Sequence, residues 1–107
     1  MEFETKRKEI ETKLKSYNEI LKRDGEHRIV DGYEVREFDV ELYKEKIRPF
    51  LYQDYQLLDQ SVKNIVREID TTIAQCEREE SIEMENHMVL CNMYFKLIRQ
   101  IEESYYN

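Results

Sequence analysis

Eight apolar residues in the second half of the chain recur every three or four positions. Their successive spacings are 4, 3, 4, 3, 4, 4 and 3, and the members are Leu51, Tyr55, Leu58, Val62, Ile65, Ile69, Ile73 and Cys76. Residues at this spacing share one helix face, so the stripe is typical of a helix that buries a single seam. The sequence therefore predicts a helix over 50–79, about 45 Å long at 1.5 Å per residue.

A first helix is predicted over 2–24 from a narrower stripe. Its apolar members are Phe3, Ile10, Leu14, Tyr17 and Leu21, and nearly all the rest of its surface is charged or polar. Gly25 follows directly, and glycine supplies the left-handed conformation that commonly ends a helix. This helix is expected to bury one seam only.

Two more helices follow from capping signals and periodicity. Asp39 is a good N-cap for a short helix over 40–48, and Pro49 either ends that helix or kinks a longer one. Ser81 is placed to cap a last helix over 82–105. Apolar side chains cover about half the circumference of this last helix, so it should contact several neighbours and lie at the centre of the bundle.

Residues 27–38 change from helical to strand-forming composition around Asp31-Gly32. An Asp-Gly pair accepts positive φ at both turn positions and is a strong hairpin signal. The segment predicts a small β-hairpin, and a plain connector between helices is the alternative.

Taken together, these elements predict a mainly α fold. We expect an antiparallel helical bundle of three long helices and one short one, with the hairpin inserted after the first helix. A length of 107 residues fits a single domain over 1–107. Two glycines and one proline are too few for the frequent turns of a sandwich or barrel.

Charge narrows the classes of partner. The chain has a formal net charge of −7, which disfavours direct binding of nucleic acid or of an anionic membrane surface. No signal peptide or membrane-spanning segment is evident, and a cytoplasmic location with Cys76 and Cys91 as buried free thiols is expected. Five carboxylates cluster at the predicted turn between the two longest helices, with only Arg78 against them: Glu77, Glu79, Glu80, Glu83 and Glu85. This turn either docks on a basic surface of a partner or is a solvated helix end that aids solubility.

Two other groups of side chains are candidate binding surfaces. An aromatic cluster after Pro49 comprises Phe50, Tyr52, Tyr55 and Leu57, of which Phe50 and Leu57 either contact a partner or bury against the hairpin. A candidate self-association seam, suited to a homodimer, comprises Leu58, Val62, Ile65, Ile69 and Ile73.

Catalytic and metal chemistry has little support in the sequence. The best metal candidate is a set of acceptable zinc ligands spaced four residues apart: Glu83, His87 and Cys91. No second His/Cys pair lies nearby in the sequence. The better interpretation is therefore a core cysteine below a half-exposed histidine. His27 has no positioned Ser, Cys or Asp partner. We expect no metal, no cofactor and no enzyme activity.

The function that these features favour is a protein-interaction module. Its most concrete form is a small acidic inhibitor or modulator that docks on the basic, nucleic-acid-binding surface of a larger protein. In size and charge the chain is similar to small acidic helical proteins of bacteriophages and mobile elements that block host defence or transcription enzymes. The alternatives are a self-associating structural or assembly subunit and a small metal- or thiol-dependent enzyme.

Overall fold

The last helix of the chain organises the fold, because it packs against the first helix, the fourth helix and the second strand. The computed structural model describes residues 2–32 and 35–106. In chain order its elements are α1 (Glu2–Glu26), β1 (Val30–Asp31), β2 (Glu37–Phe38), α2 (Val40–Lys46), α3 (Arg48–Gln53), a 3₁₀ turn (Tyr55–Leu57), α4 (Gln60–Arg78) and α5 (Met84–Tyr106). The predicted helical bundle with a hairpin after its first helix is confirmed.

The core lies where α5 meets its neighbours. Leu90, Tyr94, Leu97 and Ile101, one face of α5 at spacings of 4, 3 and 4, are buried. Tyr17 and Ile20 of α1 are buried in the same core, whereas Phe3 and Ile10, the first two members of the predicted α1 stripe, are exposed. Helix α1 also continues to Glu26, and Gly25 does not adopt a positive φ.

The predicted helix over 50–79 is interrupted in the structure. Asp54 leaves the helical region (φ −129°, ψ 42°), and Leu58 and Asp59 are extended before α4 starts at Gln60. Side chains of α1 stabilise this non-helical segment. Ser16 Oγ donates to Asp54 Oδ2 at 3.1 Å, and Tyr17 Oη donates to Asp59 Oδ2 at 2.8 Å. Tertiary hydrogen bonds therefore replace the helical ones. The apolar residues of the stripe still face the core before, within and after the break, as the buried Leu51, Leu58 and Val62 show.

Pro49 starts a helix instead of kinking one. It lies in the first turn of α3, where its missing N–H costs nothing. The preceding helix α2 ends at Lys46, two residues earlier than predicted, and it begins as predicted with Asp39 Oδ1 accepting the Leu42 N–H at 3.0 Å.

The hairpin is present but its turn is longer than predicted. Val30 pairs with Phe38 and Asp31 with Glu37, so five residues, 32–36, connect the paired ends in place of a two-residue Asp-Gly turn. Tyr33 and Glu34 lie outside the described residues. Gly32 has φ +101°, and a Cβ there would lie 2.1 Å from the carbonyl oxygen of Val35.

The α4–α5 turn reverses the chain at Glu80. This residue follows the C-cap Glu79 and has φ +57°, the left-handed conformation that glycine usually supplies after a helix. Helix α5 then begins at Met84, and the Glu83 carbonyl accepts the N–H groups of Asn86 and His87. Ser81 is therefore not the cap that the sequence predicts.

Glu80→Gly should stabilise the fold. Because left-handed backbone is costly for residues with a Cβ, we expect the free energy of unfolding to rise by about 0.5–1 kcal/mol in urea denaturation. The matched control is Glu79→Gly, which removes the same charge at φ −82° and should lower stability. Equal effects of the two substitutions would contradict this account.

Candidate protein-interaction surface

The five carboxylates of the predicted acidic turn all project into solvent. Glu77 lies in the last turn of α4, Glu79 and Glu80 in the reversal, and Glu83 and Glu85 at the start of α5. Each of the five residues is exposed. Glu77 forms an ion pair with Lys44 of α2, which ties the turn to the helix that follows the hairpin.

Carboxylates from the hairpin and from α2 join this turn to form one acidic end. A groove of ≈ 420 Å³ lies between the hairpin, the start of α2 and the turn. Among the described residues its lining contains five carboxylates and no basic side chain. The carboxylates are Asp31, Glu37, Asp39, Glu41 and Glu77, and the other lining residues are Phe38, Val40 and Ile82. We call the groove and the flanking Glu79, Glu80, Glu83 and Glu85 the acidic end.

Sequence reasoning missed the hairpin half of the acidic end. Asp31 and Glu37 lie some 40 residues before the acidic turn, and only the packing of the hairpin on α5 brings the two together. The register of the hairpin pairs Asp31 directly with Glu37, whereas the predicted two-residue turn would have placed Asp31 in the turn itself. Like charges opposite each other destabilise a hairpin, so their pairing here is unusual. Arg28 offsets part of that repulsion, with its Nη1 3.5 Å from Asp31 Oδ1.

Phe38 holds the hairpin against the bundle. The Phe38 N–H donates to His87 Nδ1 at 3.0 Å, whereas the Asp39 N–H extends the pairing of the two strands by donating to the Ile29 carbonyl at 2.7 Å. The buried Phe38 ring lies with its centroid 5.4 Å from that of Tyr43 and 5.9 Å from that of Tyr94. The carboxylates of the groove are therefore mounted on a fixed support.

The aromatic cluster is a separate feature of the surface. Tyr52 and Tyr55 are stacked with centroids 5.1 Å apart, and Tyr52 donates its hydroxyl proton to Asp70. Burial, followed by that carboxylate, raises the pKa of Tyr52 to about 12. Asp70 precedes Glu77 by seven residues, or about 10 Å along α4, so the cluster does not meet the acidic turn.

The remaining members of the aromatic cluster are partly buried. The Arg23 guanidinium lies 4.0 Å above the Phe50 ring, so this ring packs on α1. Leu57 is half-buried in the 3₁₀ turn. Of the four predicted members, Tyr52 is the most exposed and Tyr55 packs against the core.

The candidate self-association seam lies inside the chain. All five of its members, Leu58, Val62, Ile65, Ile69 and Ile73, are buried in the core of this same chain. The seam is covered because α5 packs along α4. It therefore does not present a surface to a second copy.

His87 and Cys91 have structural roles in the described chain. His87 Nδ1 accepts the Phe38 N–H, and burial raises the pKa of the Cys91 thiol, which favours its protonated form. Both cysteines are free and buried, as predicted. Within residues 2–32 and 35–106, no three or more His, Cys, Asp and Glu side chains are grouped so that they could hold a metal ion.

Comparisons with known proteins place no constraint on the function of this surface. No protein-family model, curated protein or solved structure matches the chain. Among the described residues, no helix combines the length and apolar character needed to cross a membrane. A function must therefore be argued from the geometry and charge of the acidic end.

Proposed function

We propose that this chain is a non-enzymatic interaction protein that docks its acidic end on the basic, nucleic-acid-binding surface of a larger protein. In that role it acts as an inhibitor or modulator, because it occupies a cleft that would otherwise bind the phosphate backbone. The observation that carries the proposal is the groove whose described lining holds five carboxylates and no basic side chain. Of these five, only Asp31 and Glu77 form ion pairs in the described part of the chain, with Arg28 and Lys44.

The physical basis is charge complementarity. Carboxylates from the hairpin, α2 and the α4–α5 turn concentrate negative potential at one end of the molecule. Such a field steers a positively charged partner and accelerates association, with a strong dependence on ionic strength. The exposed Ile82 beside the groove adds apolar area that a docked partner can cover.

The fixed mounting of the acidic end also supports the proposal. Phe38 and His87 hold the hairpin in place, so several carboxylates are positioned before a partner arrives. Preorganised groups lose less conformational entropy on binding than groups on a flexible loop. A solvated helix end that served only solubility would not need this support.

The test is capture of partners from a nuclease-treated lysate of the native host, followed by reconstitution with the purified partner. We expect a basic protein that binds duplex DNA or RNA, and we expect that nucleic acid to compete with the chain. Raising salt from about 50 to about 200 mM should weaken the complex roughly tenfold. Glu79→Lys/Glu80→Lys should abolish it.

The matched control is Glu4→Lys/Glu9→Lys. It makes the same change in net charge on the exposed face of α1, remote in sequence from the acidic end. We expect this variant to bind as the unmodified chain does. Retention of the partner by the Glu79/Glu80 variant, or a partner that nucleic acid does not displace, would show the proposal to be wrong.

A further inference from the structure

Helix α5 has a second apolar face beside the one that enters the core. Its members step by 4, 3, 4 and 3 residues and are Met84, Met88, Cys91, Phe95 and Ile98. The side chains of Met84, Met88 and Phe95 are 62%, 58% and 41% exposed, whereas Cys91 and Ile98 are buried at the border with the core. This is the spacing of a coiled-coil seam. We call these five residues the α5 stripe.

The α5 stripe is continuous with the hairpin loop. Val35 and Arg36 line a groove of ≈ 280 Å³ together with Met84, Met88, Cys91 and Asn92. Farther along, the Arg36 guanidinium lies 5.4 Å from the centroid of the Phe95 ring. The apolar face therefore extends across α5 onto the loop, and contiguous apolar surface of this kind marks interaction sites.

In addition to Arg36, three exposed polar residues of α5 lie beside the α5 stripe, and their order along the helix indicates which partner would fit it. Glu85, Asn92 and Arg99 are exposed and seven residues apart, so they follow the solvent side of the stripe. Glu85 and Arg99 are about 21 Å apart along α5, too far to pair with each other. Neither forms an ion pair with another residue in the described part of the chain.

Only one orientation of a second α5 helix matches these charges. Glu85 and Arg99 are equally spaced on either side of Asn92, so an antiparallel copy centred there places each Glu85 opposite an Arg99. A parallel copy would place the two Glu85 side chains on opposite sides of the seam, where neither meets an Arg99. The amide of Asn92 both donates and accepts hydrogen bonds, so it can pair with itself at the two-fold axis.

We propose that a second copy of this chain docks on the α5 stripe, antiparallel about Asn92, with two Glu85–Arg99 ion pairs between the copies. The contact is isologous, as in most homodimers. It uses a surface different from the seam of α4, which the chain buries itself. It shares Glu85 with the acidic end but uses neither Glu79 nor Glu80, so substitutions at Glu79 and Glu80 test the proposed function separately from the dimer.

The test is sedimentation equilibrium of the purified chain with a charge-swap cycle. The unmodified chain should be dimeric at about 100 µM. Glu85→Arg and Arg99→Glu should each raise the dimer dissociation constant roughly tenfold, because each creates two repulsive pairs. The double variant should restore dimerisation, since it rebuilds both pairs with their signs exchanged.

A substitution in the α5 stripe completes the experiment. Met88→Asp should give a monomer with an unchanged helical circular dichroism spectrum, because Met88 is exposed within one chain. The control is Ile10→Asp, at an exposed apolar position on α1, which should remain dimeric. A monomeric unmodified chain, a dimeric Met88→Asp variant, or a double variant no tighter than the single ones would overturn the proposal.

Discussion

Phe38→Ala should lower the free energy of unfolding by about 3–4 kcal/mol and release the hairpin from the bundle. The ring is 2% exposed and contacts both Tyr43 and Tyr94, whose own centroids are 6.2 Å apart in an edge-to-face arrangement. Removal of this ring opens a cavity beside the rings of Tyr43 and Tyr94. It costs both transfer free energy and ring–ring contact.

Urea denaturation and amide exchange would measure this effect. A domain of this size has a total stability of roughly 5–15 kcal/mol, so a loss of this size would shift the transition far to lower urea. The N–H of residue 38, which donates to His87 Nδ1 of α5, should lose its protection against exchange. Release of the hairpin would also disperse the carboxylates of the acidic end.

The control for Phe38 is Val35→Ala in the hairpin loop. Val35 is 53% exposed, so its truncation should change stability by less than about 0.5 kcal/mol. A loss of less than about 1 kcal/mol in Phe38→Ala would show that the hairpin is not anchored by this ring.

The helices were predictable because their apolar periodicity is a local property of the chain. The stripe from Leu51 to Cys76 indicated correctly which side chains face the core, since the register survives the break at 54–59. The break itself was not predictable. It depends on Ser16 and Tyr17 of α1, which lie about 40 residues away in the sequence. Their hydroxyl groups donate hydrogen bonds to Asp54 and Asp59, the first and last residues of the break.

The candidate site was predictable only in part, for a similar reason. The acidic turn at Glu77–Glu85 could be identified because its glutamates lie within nine residues of sequence. The groove carboxylates Asp31, Glu37, Asp39 and Glu41 join it through the docking of Phe38 on α5, which no local pattern encodes. Periodicity also assigned α5 one wide apolar face and could not show that Met84, Met88 and Phe95 on that face are exposed.

The second large effect is expected for Tyr17→Phe, which removes one oxygen atom from the core. Tyr17 Oη donates to Asp59 Oδ2 at 2.8 Å and accepts the Asp59 N–H at 2.9 Å. Burial raises the pKa of Tyr17, so the hydroxyl remains a donor throughout the accessible pH range. The substitution leaves the Asp59 N–H without its acceptor and removes one of the donors to the Asp59 carboxylate, which should cost about 2 kcal/mol at pH 7.

The loss should depend on pH through Asp59. Burial raises the pKa of this carboxyl, but hydrogen bonds from Tyr17, Ser104 and Lys13 outweigh burial, and the pKa is lowered below its ordinary value of 3.8. A lowered pKa in the folded state contributes stability that is present above the ordinary value and is lost as pH falls through the folded one. Removal of the Tyr17 hydroxyl removes part of this contribution.

Urea denaturation at several pH values checks the prediction. The stability difference between the unmodified chain and Tyr17→Phe should be constant from about pH 7 to about pH 5 and should shrink below about pH 4. Tyr105→Phe is the matched control, because its hydroxyl donates to Asn18 at 3.3 Å on the surface, and it should cost less than about 0.5 kcal/mol. A difference that stays constant down to about pH 2.5 would mean that Tyr17 does not stabilise the ionised carboxylate of Asp59, and the break before α4 would then need another support.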